Sequence, residues 1–130
     1  MIESTIYLCS GIIVGFILFQ SVVNAPILFK NLEISAARPL LRAIFPILFK
    51  LNTFLSAGLI LLASLGTQNV NVLIASAISF ILSLLCVLAV PYTNRAADNG
   101  NQRAFKVWHT FSVVVTMIVL VANIGIIYLL

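Results

Sequence analysis

The sequence predicts an all-α integral membrane protein, an antiparallel four-helix bundle with both termini outside. Its 130 residues are 62% hydrophobic and 8% charged, so too little polar surface remains to cover a soluble core. Four apolar stretches each reach the length of about 20 residues that a spanning helix needs. All seven basic residues lie in or beside just two of the gaps between those stretches. The bilayer is therefore the expected solvent.

The four predicted helices leave almost nothing for a soluble domain. They cover about residues 6–29, 40–65, 70–92 and 107–130. We expect one four-helix transmembrane domain over residues 1–130, stabilised by packing within lipid. The first stretch is expected to stay in the mature protein. Glu3 is the only side-chain charge before it, and no small-residue cleavage site follows its apolar run.

The basic residues fix the predicted topology, because short cytoplasmic segments beside spanning helices hold an excess of lysine and arginine. Segments 30–50 and 95–106 are therefore predicted on the inner side, and loop 66–69 on the outer side. We expect a multi-pass protein of the cell inner membrane. Residues 30–39 are predicted to be an interfacial amphipathic turn, and residues 93–102 the most flexible loop. The basic residues are Lys30, Arg38, Arg42, Lys50, Arg95, Arg103 and Lys106.

Polar and aromatic residues are predicted to converge at the inner mouth of the bundle. Counting about 20 residues back from Leu65 reaches Pro46, which puts Lys50 roughly 6 Å inside the inner hydrocarbon boundary. The same count places the inner end of the first helix and the entrance to the fourth at this level. The predicted ligand-binding residues there are Gln20, Asn24, Lys50, Trp108 and His109.

Each of these residues also has a purely structural interpretation. Lys50 can extend along its own stem to the interface, and Trp108 can be a belt aromatic. His109, the single histidine, can hydrogen-bond a loop carbonyl or bind a ligand or a metal ion. With three polar residues further along the fourth helix, it forms one stripe that is predicted to face the bundle interior. Those three residues are Ser112, Thr116 and Asn123.

Several function classes are disfavoured because the residues that they need are absent or lie outside the apolar stretches. The carboxylates Glu3, Glu33 and Asp98 lie outside the apolar stretches, which argues against an intramembrane di-metal centre and a carboxylate proton relay. A single histidine excludes bis-histidine haem ligation within one chain. The formal net charge of +4 is explained by topology, so membrane lipid rather than nucleic acid is the expected partner. A homo-oligomer is left open.

Two segments carry a family resemblance. They are Ala-Pro-Ile-Leu-Phe-Lys at 25–30 with Ala-Ile-Phe-Pro-Ile-Leu-Phe-Lys-Leu at 43–51, and Phe-Lys-Val-Trp-His-Thr-Phe-Ser at 105–112. Over nearly its whole length the chain resembles the transmembrane protein 205-like family of small four-helix membrane proteins, whose molecular activity is largely undefined. The resemblance implies a role for Asn94 at the inner mouth. The positions that match the family pattern are Pro26, Phe29, Phe45, Pro46, Asn94 and His109.

Three functions remain open at this stage. The favoured one is a non-enzymatic bundle that binds a ligand, lipid or partner at its inner mouth. A distant likeness to copper-resistance and haem-binding membrane families and to anthrone-oxygenase-like proteins implies the second, a redox or oxygenase enzyme with haem or a metal at His109. Lys50 or a second chain would then complete that site. The third is a small resistance exporter, which the absence of membrane carboxylates disfavours.

Overall fold

Four long helices make up almost the whole molecule in a computed structural model that describes all 130 residues. Each helix is long and apolar enough to cross a membrane, which confirms the predicted all-α class and the helix number. Loops 32–33, 67–69 and 99–101 join them. Helix 1 is Ile2–Asn31, helix 2 is Ile34–Gly66, helix 3 is Val70–Asp98 and helix 4 is Gln102–Leu129.

Helix 1 contains a wide turn in its second half. It is α-helical over Ile2–Leu18, π-helical over Phe19–Asn24 and α-helical again over Ala25–Asn31. Pro26 has no N–H to donate, and its ring would collide with the carbonyl of the preceding turn in a regular α-helix. The π-helical turn places its extra residue immediately before this proline, where it relieves that collision.

The helices extend beyond the apolar stretches, so two predicted loops are wrong. Helix 2 begins at Ile34, and the predicted turn over residues 30–39 is mostly helical. Helix 3 continues to Asp98, well into the predicted loop 93–102. Hydrophobicity reports the part of a helix that lies in lipid, whereas the backbone hydrogen bonds that continue the helix need no apolar side chain. Helix 3 ends where Gly100 adopts a φ of 66°, and the Asn101 N–H donates to the Ala96 carbonyl over 3.0 Å.

The helices pack in a ring, because helices 1 and 3 each pack against both helix 2 and helix 4. Many large apolar side chains point outward, such as Phe54, 76% exposed, and Val121, 67% exposed. A surface of this kind is suited to lipid rather than water. The larger apolar core cluster is Ile6, Ile13, Ile17, Leu59, Ala63, Val72, Val119 and Ile126. The smaller cluster is Leu48, Phe49, Cys86 and Val115.

Contacts between distant segments define the two ends of the bundle. At the end we call the terminal end, Ile2 lies directly against Gly66, and the Asn69 side chain donates to the Leu129 carbonyl over 2.8 Å. At the other end, which we call the basic end, Arg42 of helix 2 pairs with Asp98 of helix 3.

Helix 1 separates from the bundle toward the basic end. No Cα atom of its π-helical turn lies within 8 Å of one in another helix, although the Gln20 side chain in that turn is buried. Ala25–Asn31 approaches helix 2 alone. Near the terminal end, helix 1 covers one side of helix 4. At the basic end, the same side of helix 4 is therefore uncovered.

Candidate functional site

A shallow pocket lies at the basic end, between the end of helix 3 and the start of helix 4. Its volume is about 200 Å³. One wall is aromatic, because the rings of Tyr92 and Trp108 stack with their centroids 5.1 Å apart and their planes 22° apart. The ring of Phe111 meets that of Trp108 edge-on, with centroids 6.1 Å apart. The pocket is lined by Tyr92, Arg95, Ala96, Asn99, Asn101, Ala104 and Trp108.

The remaining lining of the pocket includes polar and positively charged side chains. Arg95 has no ion pair and no hydrogen bond from its side chain, because the nearby carboxylate of Asp98 is bound to Arg42 at 2.7 Å. That guanidinium lowers the pKa of the exposed Asp98 through their hydrogen bond. Asp98 therefore stays ionised and engaged with Arg42. The positive charge of Arg95 remains uncompensated beside the aromatic wall.

The start of helix 4 adds to this positive field. Asn101 caps the helix, its side-chain oxygen accepting from the Ala104 N–H over 3.1 Å, and it also lines the pocket. The first amides of a helix carry a partial positive charge. Arg103 lies in the same first turn of helix 4. The pocket therefore combines aromatic rings, amide side chains and an excess of positive charge, which suits a negatively charged polar group attached to an apolar body.

The structure does not bring the six sequence-predicted site residues into one pocket. Trp108 lies in the pocket, and the Asn94 carbonyl nearby accepts from Arg42 over 3.4 Å. Gln20 and Asn24 are bonded to each other, the Asn24 amide donating to Gln20 Oε1 over 2.7 Å. Both lie on helix 1.

Lys50 and His109 both point to the exterior. Lys50 is exposed and has no ion pair. His109 is also exposed, and its ring stacks on Phe105 with centroids 5.6 Å apart. The prediction that His109 faces the interior is therefore wrong, although Thr116 and Asn123 of the same stripe are buried. Helix 1 leaves helix 4 uncovered at this level, which explains the difference.

The side chains do not form a metal centre. No three His, Cys, Asp or Glu residues come together anywhere in the chain. Cys9 and Cys86 are free thiols, and the Cys86 sulfur lies 3.9 Å from the Thr116 hydroxyl. A haem or metal ion at His109 would find one imidazole beside a phenylalanine ring, which is not a ligand set.

Sequence reasoning missed a set of polar residues inside the bundle. Asn52 and Ser56 are 2% and 0% exposed, and Ser10 is 0% exposed. The only signal for the first two was their spacing of four within an apolar stretch, which puts them on one helix face. Five buried side-chain atoms have no hydrogen-bond partner, at a typical cost of about 1–3 kcal/mol each. They are Ser10 Oγ, Gln20 Nε2, Asn52 Oδ1, Ser56 Oγ and Asn123 Oδ1.

Buried polar residues between helices 3 and 4 are mostly bonded. The Asn123 amide donates to Ser79 Oγ and to the Val119 carbonyl, both over 2.9 Å. Thr116 donates its hydroxyl to the Ser112 carbonyl over 2.6 Å, and Ser76 to the Val72 carbonyl over 2.8 Å. The bond from Asn123 to Ser79 joins the two helices, as is common within membranes. The other three bonds are made within a single helix and satisfy the buried polar groups locally.

The fold and these surfaces define a class: a small multi-pass membrane protein made of four apolar helices. Residues 8–102 match the family model described as Domain of unknown function (DUF4149). The match covers well over half of the chain, and the chain belongs to this family. It includes helices 2 and 3 and the Arg95 side of the pocket, whereas Trp108 lies beyond it. No curated protein and no solved structure matches the chain.

Proposed function

We propose that this protein is a multi-pass protein of the inner membrane, a single antiparallel four-helix domain whose basic end faces the cytoplasm. Both termini then face outward. The seven basic residues support this orientation. The antiparallel arrangement is supported by the contacts at the two ends: Ile2 with Gly66 at the terminal end, and Arg42 with Asp98 at the basic end.

The closer relation to transmembrane protein 205-like proteins is also a proposal. It is supported by the motifs around Pro26, Pro46 and His109. Pro26 and Pro46 lie within the residues matched by the family of unknown function, and His109 lies outside them. This relation implies no defined activity.

The function that we propose is binding of the anionic headgroup of a membrane phospholipid in the pocket at the basic end. The observation that carries it is the unpaired Arg95 beside the stacked Tyr92 and Trp108. Arginine binds a phosphate through two parallel charge-assisted hydrogen bonds. Tyrosine and tryptophan rings reside at the depth of lipid headgroups. Asn99 and Asn101 supply neutral hydrogen bonds to the remainder of the headgroup.

The position of the pocket favours a lipid over a free soluble anion. Helix 3 continues from Tyr92 with the exposed apolar side chains of Leu88, Leu85 and Ile81, which follow at steps of four, three and four residues and so share its face. A phospholipid can place its phosphate at Arg95 and an acyl chain along these side chains. A soluble phosphate gains nothing from them.

Trp108 gives a direct test, because it is the only tryptophan and forms the pocket wall. The protein in a neutral detergent is titrated with dioctanoyl phosphatidylglycerol while tryptophan emission is recorded, and dioctanoyl phosphatidylcholine serves as the ligand control. We expect a saturable change with the anionic lipid that is much weaker with the zwitterionic one. Arg95→Gln should weaken binding by roughly 10-fold or more, because a hydrogen bond to a charged group usually contributes at least that much to affinity.

A matched control is Lys50→Gln, which removes one exposed positive charge outside the pocket. It should leave the titration unchanged. Two results would contradict a specific site: equal responses to both lipids, or an equal loss of affinity in the Arg95 and Lys50 variants. Either result would show only a general attraction of a basic surface for anions.

A further inference from the structure

Most of the unpaired polar atoms inside the bundle belong to two neighbouring helices. Four of the five lie on helices 1 and 2, which pack against each other. Helix 1 contributes Ser10 Oγ and Gln20 Nε2, and helix 2 contributes Asn52 Oδ1 and Ser56 Oγ. The interface between helices 3 and 4, in contrast, satisfies most of its polar groups internally.

The four residues lie at two levels along the bundle axis. Their positions can be estimated by counting residues along each helix from the contact between Ile2 and Gly66. At about 1.5 Å per residue, Ser10 lies roughly 12 Å along helix 1 and Ser56 roughly 15 Å along helix 2. Gln20 lies roughly 27 Å and Asn52 roughly 21 Å from the same contact. The Gln20 side chain is long enough to span the difference between the last two positions. At each level, one polar group of helix 1 is therefore near one of helix 2.

The chemistry of the deeper pair is complementary. Gln20 Nε2 is a donor, Asn52 Oδ1 is an acceptor, and neither has a partner. A hydroxyl is the smallest organic group that satisfies both, because its O–H donates to Asn52 while its oxygen accepts from Gln20. Ser56, one turn from Asn52 on the same helix, offers a further hydroxyl.

The ligand must be uncharged and must come from the membrane. No charged side chain is buried in the bundle, so an ion at this depth would have no counter-charge. We expect a ligand to enter on the side of helix 1, where no Cα atom of the π-helical turn Phe19–Asn24 lies within 8 Å of one in another helix. Single π-turns within helices are frequent at functional sites. A ligand that enters beside this turn would reach the polar pair from lipid rather than from water.

We propose that the interface between helices 1 and 2 is a second binding site, which takes the hydroxyl head of a neutral lipid between Gln20, Asn52 and Ser56. This site is distinct from the pocket at Arg95 in position, charge and ligand. Glycerides and isoprenoid alcohols carry the same hydroxyl chemistry, and the experiment separates them.

The test measures thermal unfolding in nanodiscs of pure phosphatidylcholine, which contain no anionic lipid. Dioctanoylglycerol and farnesol are the two probes, and trioctanoylglycerol, which has no hydroxyl, is the control ligand. At saturation we expect at least one alcohol to raise the Tm by roughly 3 °C or more. Trioctanoylglycerol should have no effect. The more effective alcohol identifies the source of the hydroxyl.

Asn52→Leu then separates a ligand site from a structural contact. Leucine has the same number of side-chain heavy atoms and the same branching, and it removes an unpaired polar group. The variant should therefore unfold at or above the Tm of the wild type and lose the response to the alcohol. Ser56→Ala, a smaller change, should weaken the response. Asn123→Leu is the matched control: it breaks the hydrogen bond to Ser79 and should lower the Tm while keeping the response.

Two results would overturn the proposal. One is the absence of any Tm shift in the wild type with either alcohol, in which case the interface is closed or holds water. The other is a lower Tm for Asn52→Leu, comparable to that of Asn123→Leu, which would make Asn52 a structural residue.

Discussion

Arg42 and Asp98 lie 56 residues apart and form a two-armed ion pair, with nitrogen to oxygen distances of 2.7 and 2.8 Å. The pair joins the beginning of helix 2 to the last residue of helix 3. It also binds the carboxylate nearest to Arg95. The architecture of the basic end and the charge of the candidate site therefore depend on the same contact.

Asp98→Asn should loosen the last turn of helix 3. Both partners are exposed, so we expect little change in overall stability but faster hydrogen exchange of the Asn99 amide, which bonds the Arg95 carbonyl over 3.0 Å. Glu33→Gln removes an exposed carboxylate that has no ion pair and is the control. Unchanged exchange in Asp98→Asn would mean that the ion pair does not hold this turn.

The pair should persist at all pH values above the ordinary Asp98 pKa. Arg42 lowers that pKa from 3.8, so the stabilisation is present above 3.8 and is lost only as the pH falls through the lowered value. The NMR titration of the Asp98 carboxyl carbon should have a midpoint below 3.8. A midpoint at or above that value would show that the pair does not form in solution.

Gly66→Ala tests the packing at the terminal end. A Cβ at this position would overlap the side chain of Ile2, so the start of helix 1 must move, at a typical cost of about 1–3 kcal/mol. Gly15→Ala is the control, because a Cβ there meets no atom within 4 Å. Chemical unfolding in mixed micelles measures both variants. Equal stability of the two would contradict the contact between Ile2 and Gly66.

The proposed topology predicts which reporter fusions are active. Alkaline phosphatase, which is active only outside the cytoplasm, should work when fused after Gln68 or Leu130 and should be inactive after Asn99. The reason is the concentration of lysine and arginine at the basic end. The reverse pattern would put the Arg95 pocket on the outer side.

Sequence reasoning predicted the class and the four helices, because apolar length and basic residues report directly on the bilayer. It did not predict that helix 2 starts at Ile34 or that helix 3 reaches Asp98, because backbone hydrogen bonds and an ion pair fix those ends. Trp108 was assigned to the correct end of the bundle. Its partners Tyr92 and Arg95 depend on the register between helices 3 and 4, which hydrophobicity does not encode.

Retention of one phospholipid by the purified protein is the decisive measurement for the proposed binding site at Arg95. The protein is released from mixed micelles of phosphatidylglycerol and phosphatidylcholine and analysed by native mass spectrometry. We expect one bound phosphatidylglycerol in the wild type and no bound phosphatidylglycerol in Arg95→Gln. His109→Ala, which changes an exposed ring next to Trp108 but outside the pocket, should retain the lipid. Retention of phosphatidylcholine to the same extent, or of phosphatidylglycerol in Arg95→Gln at the wild-type level, would contradict it.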